Sequence, residues 1–177
     1  MTARRKKSAP TVSRGLNASP PRAASRGSTW RQGALLALLV AGIDQAVKAL
    51  VGRTLPLDAS VPLIPGILWL TNVRNTGIAF GLLSGVPLAV TVLAALTVVF
   101  LVVYNGGHWQ RDPLSRAAAG LLLGGAVGNL SDRFRLGYVV DYLDLRVWPV
   151  FNLADTAVVC GGALLLWALF RRKRGEA

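Results

Sequence analysis

The sequence predicts a membrane all-α four-helix transmembrane bundle with a small extracytoplasmic β element, and three observations predict it. Hydrophobic residues make up 53% of the 177 residues and charged residues only 16%, a composition outside the range of soluble domains. Four stretches approach the roughly 20 apolar residues needed to cross a ~30 Å hydrocarbon layer. The cationic excess, 20 Lys and Arg against 8 Asp and Glu, is gathered mostly at the two ends of the chain. In a soluble domain a formal charge of +12 would point to nucleic acid. Here it brackets apolar spans, so no nucleic-acid partner is expected.

Residues 1–31 mix Arg, Lys, Ser, Ala and Pro, and they include Arg4, Arg5, Lys6, Lys7, Arg14, Arg22, Arg26 and Arg31. Such a stretch buries too little surface to offset its ordering entropy, so a disordered basic cytoplasmic tail is expected. The Arg4-Arg5 pair has the look of an export signal, but the apolar run that follows contains Asp44, Gln45 and Lys48, unlike a cleavable signal core. The first span, about 32–51, is therefore read as retained. The stretch 52–86 contains Pro56, Pro62, Pro65 and the alternating run Ile67-Leu68-Trp69-Leu70-Thr71-Asn72-Val73, a pattern of short strands. The second span, about 87–104, is apolar throughout.

The third span, about 114–132, carries Gly120, Gly124, Gly125 and Gly128, and small residues suit close helix packing in lipid. The fourth covers about 151–170, and a second basic tail, 171–177, holds Arg171, Arg172, Lys173 and Arg174. The span-bearing unit is thus 32–170, flanked by two tails. An even number of spans puts both termini on one side. The basic residues of the tails and of the 105–113 loop make that side cytoplasmic.

Ionisable residues at membrane depth are costly and tend to be functional or buried in the bundle. In this chain they cluster near the outer surface. Asp44 and Lys48 are an i, i+4 pair on the first span, read as an ion pair that permits insertion, as an organiser of a site, or as both. Asn129, Asp132 and Arg133 share one face at the outer end of the third span and are read mainly as a polar helix end that supports the neighbouring loop. Asn152 and Asp155 stand i, i+3 at the start of the fourth span, and Asp141 lies in the loop before it. Two carboxylates at similar depth can share one proton, one acting as acid and the other as base toward water, which is aspartyl-protease chemistry. The same two groups could also bind a cation or hold a loop.

Other schemes fail on inventory. One cysteine and one histidine exclude a disulfide framework and a multi-histidine metal site, so neither metal nor cofactor is expected. His108 and Ser84 fall on opposite sides of the membrane, and a Ser131–Lys48 pair would need a neutral lysine beside Asp44. Asp144 reads as a solvated interfacial charge and Cys160 as a buried mid-span hydrophobe. A transporter would need a polar path to both sides, and the cytoplasmic halves of the spans are apolar.

Five blocks carry a specific resemblance: Asp44-Gln45-Ala46-Val47-Lys48, Asn75-Thr76-Gly77-Ile78-Ala79-Phe80, Gly128-Asn129-Leu130-Ser131-Asp132-Arg133, Val139-Val140-Asp141-Tyr142 and Phe151-Asn152-Leu153-Ala154-Asp155. In this order the chain resembles the bacterial lipoprotein signal peptidases, also called signal peptidase II, over about residues 33–170. The resemblance implies an aspartyl endopeptidase of the bacterial cytoplasmic (inner) membrane, and a monomer is expected. It would cut prolipoproteins before a diacylglyceryl-modified cysteine, in contact with membrane lipids. It also implies that Asp141 and Asp155 are the catalytic pair. Asp44, Lys48, Asn75, Gly77, Asn129, Asp132, Arg133, Asn152 and Ala154 match the family's other motif positions.

Overall fold

The computed structural model describes residues 26–76 and 112–175; the predicted second span at 87–104 and Gly77 lie outside the described residues. Helix α1 spans Arg26–Thr54. It begins inside the stretch expected to be disordered, because extending an existing helix costs far less than nucleating one. It ends just before Pro56, whose ring disfavours helical geometry in the residue ahead of it. Leu55 N donates to Val51 O in its last turn at 2.9 Å, and the residue just beyond the helix is held from a distance, Asn72 Nδ2 donating to Leu55 O at 2.8 Å.

Strands β1, Ser60–Ile64, and β2, Leu68–Asn75, form an antiparallel hairpin turning at Gly66, whose φ of +80° suits a residue without Cβ. Strand β3, Val139–Asp144, pairs antiparallel on the other side of β2, giving the order β1-β2-β3. Val73 lies opposite Asp141 and Asn75 opposite Val139. Asp141 is therefore a strand residue rather than the loop residue expected. The β-branched Val139-Val140 pair favours a pleated backbone, and β2 supplies the hydrogen-bonding partner.

Helix α2, Pro113–Leu136, starts with Asp112 as its N-cap and Pro113 in its first turn, and stops at Gly137 with φ +80°. Asp112 accepts from Ser115 N at 3.2 Å. Gly137 is the left-handed C-cap that turns the chain directly into β3. Helix α3 is Leu153–Gly175.

Helix α2 packs between α1 and α3, and its glycines make this possible. A Cβ on Gly128 would lie 2.9 Å from Asp44 Oδ2 on one side and 3.3 Å from Ala154 Cβ on the other, and one on Gly125 would run into Ala154 O. A small apolar cluster of Ala118, Ala119, Leu122 and Leu165 fills the α2–α3 interface.

Among the described residues, Arg31–Thr54 and Leu153–Arg171 are long and apolar enough to cross a bilayer. Their outer faces are apolar and exposed, as at Leu38 (71%) and Phe170 (68%), which is the pattern of helices solvated by lipid rather than water. Cys160, expected to be buried, is exposed. The packing face of α3 follows Ala157, Gly161, Leu165 and Ala168, which are pressed against α2 or buried, and Cys160 falls off that face.

Candidate active site

Of the five largest fully buried side chains among the described residues, four are polar: Asn152, Asp44, Asp132 and Asp141. Buried polar groups are stable only when their hydrogen-bonding capacity is met. The partners these side chains find in one another define the site.

The start of α3 is the structural key. Asn152 and Asp155 form a reciprocal cap: Asn152 Oδ1 accepts from Asp155 N at 2.8 Å, and Asp155 Oδ2 accepts from Asn152 N at 3.2 Å. The remaining early N–H groups, which a helix cannot satisfy internally, are met from other elements. Leu153 N donates to Tyr142 Oη of β3 at 3.1 Å, and Ala154 N donates to Asp44 Oδ1 of α1 at 3.1 Å. A helix end anchored by α1 and β3 at once cannot slide relative to either, and Asp155 is fixed with it. The other oxygen of Asp155 accepts from Asn129 Nδ2 of α2 at 2.7 Å.

Asp141 reaches the same helix end from the sheet. Asn152 Nδ2 donates to its Oδ1 at 2.7 Å, and Asn75 Nδ2 on the neighbouring strand donates to its Oδ2 at 2.8 Å. Asn152 thus touches both carboxylates, one through its side chain and the other through its backbone. Burial is the main cause of an Asp141 pKa raised from 3.8 to about 7, with the charge of Asp155 adding to it and the donors Asn75 and Asn152 opposing it. Asp141 can therefore hold a proton at pH values where an ordinary carboxyl has lost it.

Lys48 braces the site from α1. Its ammonium meets Asp44 Oδ2 at 2.7 Å, Asp132 Oδ2 at 2.8 Å and Asn129 Oδ1 at 2.9 Å. All three N–H directions are taken up, so it holds carboxylates together and has no free lone pair for a Ser131–Lys48 scheme. Asp132 in turn accepts from Val140 N of β3 at 3.2 Å, which ties the strand carrying Asp141 to α2. Arg133 is buried, donates to Thr76 O at 3.5 Å, and brings its charge near both Asp141 and Asp155.

Asp44, Lys48, Asn75, Asn129, Asp132, Arg133, Asp141, Asn152, Ala154 and Asp155 are therefore brought to one end of the helices, and Gly77 lies outside the described residues. Asn129 does more than cap a helix, since it contacts Asp155 directly. Among the described residues no group of three or more His, Cys, Asp or Glu is arranged to hold a metal ion.

Two participants escape a reading of the sequence. Gln45 Nε2 donates to Asp132 Oδ1 at 2.7 Å, and Tyr142 holds the start of α3. Both adjoin a site aspartate, and Gln45 is polar within an apolar span; those were the available signals. Asp144 requires a correction, because it is buried rather than solvated. Thr71 Oγ1 donates to it at 2.9 Å and Arg146 N at 2.8 Å, since Arg146, at φ +63°, folds back over the strand end.

Known proteins share both the sequence and the fold of this chain. A family model described as signal peptidase (SPase) II matches residues 36–171. The chain is 43% identical over 140 residues to the lipoprotein signal peptidase of Halothermothrix orenii, covering 79% of this chain and 96% of that one. Against the lipoprotein signal peptidase of Moorella thermoacetica it is 50% identical over 138 residues, covering 76% and 90%. A bacterial membrane enzyme solved by the in meso method at 2.3 Å resolution superposes with a TM-score of 0.73 at 30% identity, covering 83% of this chain and 92% of that chain.

Proposed function

The chain belongs to the signal peptidase II family, and on that premise we propose that it is an aspartyl endopeptidase of the bacterial inner membrane. It removes signal peptides from prolipoproteins, cutting before a diacylglyceryl-modified cysteine, with Asp141 and Asp155 as the catalytic pair. The observation that carries the assignment is the bridge through Asn152, at 2.7 Å to Asp141 and 3.2 Å to Asp155.

In this reading Asp141 holds the shared proton, because burial raises its pKa to about 7. Asp155, at the positive end of a helix and accepting from Asn129 and Asn152, is the base. Asp155 takes a proton from water as the oxygen attacks the scissile carbonyl carbon, and Asp141 gives its proton to the carbonyl oxygen. As the tetrahedral adduct collapses, the C–N bond breaks, the amine nitrogen gains the proton held by Asp155, and the hydroxyl proton returns to Asp141. Both carboxyls are then as they began. Asp44, Lys48, Asn129, Asp132 and Asn152 hold the pair in place, and Arg133 tempers its negative charge.

The reading includes a complete four-helix bundle, with residues 87–104 as the remaining span. Residues 32–170 are then the peptidase domain, the basic tails 1–31 and 171–177 are cytoplasmic, and the protein is a monomer without a cofactor. The lipid anchor of the substrate holds its scissile bond near the headgroup boundary, the level at which an outward-facing Asp141 and Asp155 would stand. Acyl burial at about 0.8 kcal/mol per CH₂ supplies most of the affinity. The test is purified protein incubated with one prolipoprotein in two forms. The diacylglyceryl-modified form should be cut before its cysteine and the unmodified form hardly at all; equal turnover of the two would refute lipid-anchored recognition.

A further inference from the structure

We propose that the β1–β2 hairpin and the loop after β3 together form a lipid-contacting surface, which sinks into the headgroup and upper acyl region of the leaflet beside the active site. The inference rests on the reading of this chain as a membrane peptidase and adds to it a surface that sets the depth of the catalytic carboxylates.

Strand β1 is the free edge of the sheet, and apolar side chains cover it. Leu63 is 58% exposed and Ile67 at the hairpin turn 61%; in the loop after β3, Val147 is 89% exposed and Trp148 56%. Exposed apolar residues scattered singly need no explanation, but a rimmed cluster marks an interaction surface. Arg146 joins the two segments into one surface. Its guanidinium stacks 4.7 Å from the centre of the Trp69 ring, bonds Ser60 Oγ of β1 and pairs with Asp144 of β3 at 3.4 Å.

The sheet is mounted on the ends of the helices. Strand β3 is bonded directly to the ends of α2 and α3, through Val140 N to Asp132 and Leu153 N to Tyr142 Oη. Only five residues, Leu55 to Ala59, separate the end of α1 from β1. With neighbouring strands about 4.8 Å apart, β1 lies about 10 Å from β3 across the sheet, so the hairpin stays close to the helix ends.

The apolar surface is also continuous with that of a span. Leu50 in the last turns of α1 is 59% exposed and Leu57 just beyond it 47%. Arg53, exposed in the last turn of α1 beside Leu50, is a cation that suits a lipid phosphate, while Trp148 is of a type that favours the interface. A bilayer supplies all of this chemistry at once, which is why lipid rather than a protein partner is the occupant.

The surface can be tested with nitroxide labels on single cysteines, placed at Leu63, Ile67 and Val147 in a Cys160→Ala background. A label at Leu38, on the exposed face of α1, serves as the bilayer reference. In phosphatidylcholine–phosphatidylglycerol vesicles the three labels should collide with oxygen more than with an aqueous nickel chelate, at depths between the phosphates and the Leu38 label. Water-like collision with the chelate at all three would overturn the proposal. So would protection from both reagents with dipolar broadening between labels, which would assign the patch to a second copy of the chain.

A second arm reads activity. Ile67→Asp and Val147→Asp should slow cleavage of a lipid-modified prolipoprotein about 5-fold or more in vesicles, yet change it less than about 2-fold in deformable detergent micelles. Unchanged rates in vesicles would overturn a depth-setting role. Should the unaltered protein cleave no prolipoprotein, the assigned function fails, whereas the collision data still decide for or against the lipid surface.

Discussion

At the scale of single residues, the two carboxyls and their amide partners make separable predictions. Asp141→Asn and Asp155→Asn keep shape but fix each group as neutral, so each should abolish cleavage while leaving the amount of inserted protein unchanged. The double variant should be no worse than either single one, because residues that act as a unit are strongly non-additive; single-turnover assays on all three would show it. Asp141 also predicts a pH dependence. Its pKa is raised to about 7, so the folded state binds a proton more tightly than the unfolded one. Its contribution to stability is complete below the unfolded pKa of about 3.9 and is lost as pH rises through the folded value. The acid form follows the same course, and the rate should fall on the alkaline side of that value. Asn75 donates to Asp141 and holds its pKa down, so Asn75→Ala should move the alkaline limb of the kcat profile to higher pH. A limb that stays in place or moves lower would remove Asp141 as the acid.

At the scale of elements, the site depends on how α1, α2, β3 and α3 meet. Lys48 is buried between Asp44 and Asp132, and replacing it with Met leaves two carboxylates buried without their cation. Loss of one member of a buried ion network typically costs about 3–5 kcal/mol. Lys48→Met should therefore lower the thermal midpoint in detergent markedly, and its activity should fall with its folded fraction. Asp44→Asn is milder. It retains one oxygen that can accept from Ala154 N and loses the charge and the acceptor that face Lys48, which Asp132 and Asn129 still hold, so measurable turnover should survive in correctly inserted protein. A fully inactive Asp44→Asn beside an active Asp155→Asn would place the chemistry elsewhere.

At the scale of the whole molecule, the proposed topology, drawn from positive-inside counting, has both termini in the cytoplasm and the site on the other face. A reporter active only outside the cytoplasm should work when fused within residues 135–147 and fail when fused after Ala177. The reverse pattern would invert the molecule and separate the site from substrates anchored in the outer leaflet. The lipid surface of the sheet belongs to this scale too, since it concerns how deeply the whole enzyme rides in the bilayer.

The sequence alone marked the apolar stretches at 32–51 and 151–170, where the structure has helices α1 and α3, and the short strands near Ile67–Val73, where β2 lies. It also marked every residue of the polar cluster except Gln45 and Tyr142. These features are local: hydrophobic length, alternation and the cost of charge in an apolar run are written in consecutive residues. Only the tertiary structure decided that Asp141 belongs to a strand, that Asp144 is buried, that Cys160 faces outward and that Asn129 contacts Asp155. Each depends on a partner distant in the chain. Strand β2 holds Asp141 in the sheet, Thr71 and Arg146 cover Asp144, α2 selects which face of α3 is packed, and the donor that reaches Asp155 comes from another helix. A residue's neighbours along the chain give its propensity, whereas its burial and hydrogen-bond partners are set by the surfaces that fold against it.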